Sequence, residues 1–244
     1  NSLDAITTGD SNTAVGYTAG SAITTGGFNT LLGERAGLVH TTGSQNTMVG
    51  CLAGSQSTEG GDNTFIGMKA GEAVTTGSNN IAIGVSTLDN ADTETHNLAI
   101  GNAALGGPVA GGEFNVAIGN YSLDALTSGD SNVAIGYQAG TAVTTGGYNV
   151  FIGGSFAGYC GGANTTGQLN IAIGTDAYDA ADEESNNLAI GYAALGGAVA
   201  GGEYNVAIGN LTLDALTSGD NVVAVGYSAG TSITTGANSV FVGY

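Results

Sequence analysis

The chain has 244 residues, of which 45 are Gly, one is Pro, none is Trp, and 9% are charged, where ordinary domains carry about a quarter. Twenty acidic residues stand against two basic ones, Arg35 and Lys69, for a net charge of −18, so there is no basic patch for nucleic acid or an anionic membrane surface. The 42% hydrophobic content argues against disorder, Gly without a three-residue period excludes collagen, and no apolar run is long enough for a membrane-spanning helix.

One motif then recurs along the chain: Asn, an apolar or Thr residue, Ala or a larger apolar residue, then Ile, Val or (once) Leu, then Gly. It begins at Asn12, Asn29, Asn46, Asn63, Asn80, Asn97, Asn115, Asn132, Asn149, Asn170, Asn187 and Asn205, and in altered form at Val222 and Ser239. The spacing is 17 residues, except for 18 after Asn97 and Asn187 and 21 after Asn149. A fixed short period means a solenoid whose repeats stack on their neighbours. The reading is an all-β parallel β-roll, one domain over residues 1–244, with about fourteen coils of 17 residues. Stacked at about 4.8 Å per coil, they would form a rod of roughly 67 Å. A longer period of 90 residues is superimposed: LDALTSGD at 123–130 returns at 213–220.

Counting the Asn as position one, the first five residues of a coil suit a short strand, with β-branched residues enriched at positions two and four. Position five is Gly in every coil, as a turn at positive φ would require. A second short strand is expected through TAVTTG at 141–146, and a Gly-rich corner at 146–148 leads to the next Asn. The 21-residue coil is read as carrying a surface insertion at Tyr159, Cys160, Gly161 and Gly162. The recurring Asn is read as a ladder of stacked amides.

Alternation along a strand puts positions two and four on one face and position three on the other. Both faces are apolar. Position four, as in Ile118, is assigned to the inside of the coil. Position three, as in Ala117 and Ala134, is assigned to an outer stripe buried between chains in a parallel homotrimer.

Catalytic chemistry is not visible. There is no nucleophile elbow, P-loop, zinc signature or catalytic carboxylate pair. His40 and His96 fall at different corners and read as solvated. No residue is assigned a catalytic, cofactor or metal role, and the chain is expected to be non-enzymatic and without a cofactor. The acidic group Asp89, Asp92, Asp179, Asp182, Glu183 and Glu184 lacks the ligand periodicity of calcium-binding β-rolls and reads as a solvated patch. Cys51 and Cys160 lie six coils apart, roughly 29 Å along a stack, too far for a disulfide within one chain. The start at Asn1, without Met, reads as a processed product or an internal piece.

The run NVAIGYQAG at 132–140 and its tandem copies resemble the SVAIG-type repeats of trimeric autotransporter adhesin heads (YadA-like). They are also similar to the NTAIG repeats of phage and algal-virus fibre proteins. The coil is longer here than in the adhesin heads. These resemblances imply a left-handed parallel β-roll assembled as a homotrimer. The expected function is a structural or adhesive fibre segment of an extracellular filament, cell surface or virion. Its partner would be further copies of itself, as homotrimer or filament, without nucleic acid or membrane insertion. Ice or another surface is a possible ligand, because the coils also resemble the stacked NxVxG coils of grass ice-binding proteins. That alternative rests on Thr pairs at 24–25, 41–42, 75–76, 144–145, 165–166 and 234–235. The rank is broken at Glu183 and Glu184 and in the Gly-Gly coils at 106–112 and 196–202.

Overall fold

The protein is described from a computed structural model, which covers residues 1–155, 159–197 and 201–244. The chain divides into two compact units, residues 1–120 and 121–244. The described residues contain no helix. The first unit holds β1 (Thr13–Val15), β2 (Thr30–Leu32), β3 (Thr47–Val49), β4 (Thr64–Ile66), β5 (Ile81–Ile83), β6 (Leu98–Ile100) and β7 (Val116–Ile118). The second holds β8 (Val133–Ile135), β9 (Val150–Ile152), β10 (Ile171–Ile173), β11 (Leu188–Ile190), β12 (Val206–Ile208), β13 (Val223–Val225) and β14 (Val240–Val242). Within each unit every strand pairs in parallel with the next in chain order, with like positions opposite each other. Each unit is therefore a parallel β-solenoid, as the repeat predicts.

Each coil has one strand of three residues, and the expected second strand is not formed. The reason lies in the Thr pair. The backbone N–H groups of Thr24, Thr25 and Gly26 converge on one acceptor, the Thr41 carbonyl, at 2.9, 3.4 and 3.4 Å, and the Thr24 hydroxyl donates to it as well. Three successive N–H groups spent on one carbonyl cannot give the evenly spaced bonds of a parallel ladder. Position five ends the strand. Gly33 has φ 141°, and a Cβ there would lie 2.4 Å from the Gly50 carbonyl of the next coil.

The inward side of the strand is the reverse of the expectation. Position three is buried: Leu31, Met48, Phe65, Ala82, Ala99, Ala117, Ala134, Phe151, Ala172, Ala189, Ala207 and Ala224 are all fully enclosed. Positions two and four, Ile118 among them, are partly or well exposed. The Asn explains the choice. The Asn46 backbone N–H donates to Asn29 Oδ1 at 2.9 Å, and Asn29 Nδ2 donates to the Gly43 carbonyl at 2.9 Å. The same arrangement recurs from Asn63 to Asn80 and from Asn187 to Asn205. To reach both partners the amide must point inward, and position three shares its parity. The ladder thus runs mainly from side chain to the backbone of the next coil. Direct amide-to-amide bonds join Asn29 to Asn12 and Asn46 to Asn29 as well.

The interior is narrow, and its volume is shared between positions three and nine. Where position three is large, position nine is Gly: a Cβ on Gly71 would meet the Phe65 ring at 2.7 Å, and one on Gly161 would meet Phe151 at 2.4 Å. Where position three is Ala, position nine is often Leu or Tyr. Ala82, Ala99, Ala172 and Ala207 share their coils with buried Leu88, Leu105, Tyr178 and Leu213. Close packing allows either arrangement and penalises a change in total volume.

Cys160 and Gly161 belong to this core and not to a surface insertion. Cys160 is fully buried at position eight, where other coils carry Ala36 or Ala53, and its thiol lies 3.2 Å from the Ala172 carbonyl. The extra length of this coil falls between Gly153 and Cys160, and residues 156–158 there lie outside the described residues.

Candidate functional surface

The most extensive surface feature follows from the strand parity. Positions two and four form two columns in register on the outer face of each sheet. In β8–β14 all fourteen residues are Val, Ile or Leu. In β1–β7 they are Val, Ile or Leu except for Thr13, Thr30, Thr47 and Thr64. No charged residue interrupts either face. Val15 is 58% exposed, Leu32 47% and Ile171 40%, so the face is open to solvent. Large aromatic side chains are exposed at corners that follow or precede the strand, including Tyr17, Phe28, Tyr148, Tyr192 and Tyr204. His96 stacks on Phe114 there, with ring centroids 4.9 Å apart. Sequence reasoning listed the residues of this face but gave it to the interior. The signal that would have placed it outside was the parity of the Asn.

The Thr pairs form a different surface, and half of it is used internally. Hydroxyls at position thirteen donate to the next coil: Thr24 to the Thr41 carbonyl, Thr41 to Thr58, Thr58 to Thr75, and Thr144 to Thr165. Only position fourteen is left outward, as Thr25, Thr42, Thr76, Thr145 and Thr166, and Glu59 interrupts it as well as Glu183.

The acidic group is dispersed among separate tasks. Asp92 accepts from the Thr75 hydroxyl, and Asp182 from Thr165. Glu94 is buried, and its carboxylate accepts the N–H of Asp92 at 2.6 Å and of Gly111 at 2.8 Å. Glu184, 90 residues later, repeats this with Asp182 and Gly201. Both glutamates stand where other coils have Gly, and each ties its coil to the next. Burial pushes the carboxyl pKa of Asp89, Asp124 and Asp179 above the ordinary aspartate value, with Asp176 adding to the effect at Asp179. Among the described residues no three His, Cys, Asp or Glu side chains converge in a way that could hold a metal ion. The two basic side chains lie near glutamates of their own coils, Arg35 with Glu34 at 3.9 Å and Lys69 with Glu72 at 3.2 Å.

The two histidines differ. His96 is exposed, as expected. His40 is fully buried at position twelve, which corrects the solvated reading. Both cysteines are free, Cys51 exposed and Cys160 buried. No family model, no curated protein and no solved structure matches this chain.

Proposed function

We propose that the chain is a non-enzymatic structural segment of a fibre on a cell surface, extracellular filament or virion, whose copies associate along the outward face of the strands. The observation that carries this reading is the uncharged double column at positions two and four, on a chain of net charge −18. Copies so strongly alike in charge can approach only where charge is missing. If each of fourteen aliphatic side chains leaves some 50 Å² open, the second unit offers about 700 Å², near the roughly 800 Å² per partner of a stable interface and above the usual apolar patch of a monomer. Three copies around a common axis, in parallel, would cover this face, in keeping with the resemblance to trimeric fibre repeats. The test is mass by light scattering with and without Ile135→Glu plus Ile173→Glu. The expected result is an oligomer that dissociates in the variant while keeping its circular dichroism. A wild-type monomer overturns the reading.

One observation favours a second function. Thr13, Thr30, Thr47 and Thr64 stand in register beside Val15, Leu32, Val49 and Ile66, a flat, regular, methyl-rich array with free-standing hydroxyls of the kind that ordered water requires. This is a better ice-binding face than the Thr pairs, whose position-thirteen hydroxyls are bonded within the stack. Thermal hysteresis that disappears in Thr30→Lys would establish it, and its absence in the wild type removes it.

A further inference from the structure

His40 stands in an inward column at position twelve, with Ile23 in the coil before it, Ser57 in the coil after and Val74 beyond. Its ring lies against the backbone of Gly43, so closely that a Cβ there would sit 2.3 Å from the imidazole. Nε2 is 2.9 Å from the Gly43 carbonyl, and the Ser57 hydroxyl is 3.3 Å from Nδ1. Nε2 also lies 3.2 Å from Asn46 Nδ2, so both ring nitrogens meet only uncharged polar groups. A second proton would place a full charge on a ring that solvent does not reach, where an unpaired charge is costly. The same Gly43 carbonyl also accepts from Asn29 Nδ2, so disturbance of the ring reaches the Asn ladder.

We propose that the coils around His40, residues 37–60, form an acid-sensitive latch in which protonation of the imidazole opens the stack locally. No charged side chain faces the ring. The preceding coil presents Ile23, the following coil presents Ser57 and the Asn46 amide, and the ring's own coil presents Gly37 and Gly43. The acidic and basic residues of these coils, Asp10, Glu34, Arg35, Glu59 and Asp62, are all exposed. Burial lowers the His40 pKa, only partly opposed by the hydrogen bonds to Gly43 and Ser57. A folded pKa below the unfolded value means that the unfolded chain binds more protons. The contribution is therefore complete above about pH 6.5 and is lost as pH falls below it. Asp89, Asp124 and Asp179, whose pKa values are raised by burial, have the opposite sign and gain stability as they take up protons. These three carboxyls should thus not add to the acid response.

Hydrogen exchange on the intact chain, corrected for the intrinsic pH dependence of amide exchange, tests this. Between pH 7 and pH 5 the amides of residues 37–60 should lose protection by up to about tenfold per pH unit, the limit for one proton. The equivalent amides around Val143 should not. His40→Val places in the column the residue that stands there as Val74, and should abolish the response. Loss of protection that persists in His40→Val overturns the proposal, as does unchanged protection in the wild type. If the variant folds poorly, NMR titration of the unmodified chain decides, with the denatured chain as reference: a His40 imidazole that titrates at or above its value in the denatured chain overturns the latch.

Discussion

In the first unit, β2 to β4 carry the mass of the core on the strand, as Leu31, Met48 and Phe65, and the return arm opposite them is Gly37, Gly54 and Gly71. In the second unit, β10 to β12 carry Ala172, Ala189 and Ala207, and the mass has moved to the return arm as Tyr178, Leu195 and Leu213. The backbone is the same in both. Leu195 and Leu213 take φ 49° and 52°, close to the 55° to 60° of Gly54 and Gly71, so position nine is left-handed whichever residue fills it. The difference teaches that the cross-section of the coil is conserved as a volume, and that the side supplying it is free to vary. The outward face varies differently: it takes Val, Ile, Leu or Thr and no charged residue in either unit.

The largest effect should come from placing a charge on each side of one strand. Ala189→Glu puts a carboxylate where there is neither space nor a partner, and should cost about 4 kcal/mol or more, with thermal melts showing loss of the second unit. Ile190→Glu, the adjacent residue on the outer face, should cost less than about 1 kcal/mol of folding stability, as surface substitutions do, yet reduce the oligomer mass. Equal damage from both would mean that the outer face is already covered within the monomer.

A smaller effect should come from moving mass across the coil. Phe65→Ala alone should cost about 3–5 kcal/mol, and Gly71→Leu alone should also destabilise, because its Cβ would meet the Phe65 ring at 2.7 Å. Together they reproduce the combination of Ala99 with Leu105 that β6 already uses. The double variant should therefore recover most of the loss, read as a coupling energy in denaturant melts. Simple additivity would mean that the two arms are not filling one space.

Much of this architecture was legible in the sequence, because the period, the Gly at position five and the Asn at position one repeat often enough to set the register. The strand parity was misread because positions three and four are both apolar, so hydrophobicity could not choose between them. The Asn could: an amide repeated at one position of a stack needs inward partners, and Ala at the same parity must follow it. The second strand was misread because Thr-Thr suits a β-strand by propensity, whereas here its N–H groups converge on a single carbonyl. The burial of His40 had one available signal, its alignment with Ile23 and Val74 in the repeat. The outer apolar face was visible only as a list of residues until the parity was known.

The smallest perturbation, alkylation of a thiol, compares the units without altering a residue. Cys51 stands in the first unit at an exposed corner. Cys160 stands in the second, fully enclosed, with burial pushing its thiol up to about 12. The thiolate is the reactive form, so at pH 8 Cys160 is disfavoured twice, by access and by ionisation. Iodoacetamide should therefore label Cys51 readily in the native chain and Cys160 only when the second unit opens. Mass spectrometry should show one adduct under native conditions and two in denaturant. The labelling rate of Cys160 then follows the opening of that unit, and the substitution Ala189→Glu should raise it while leaving Cys51 unchanged. Native labelling of both thiols at similar rates would show that position eight of this coil is open to solvent, and the enclosure of the Cys160 thiol against the Ala172 carbonyl would not hold in solution.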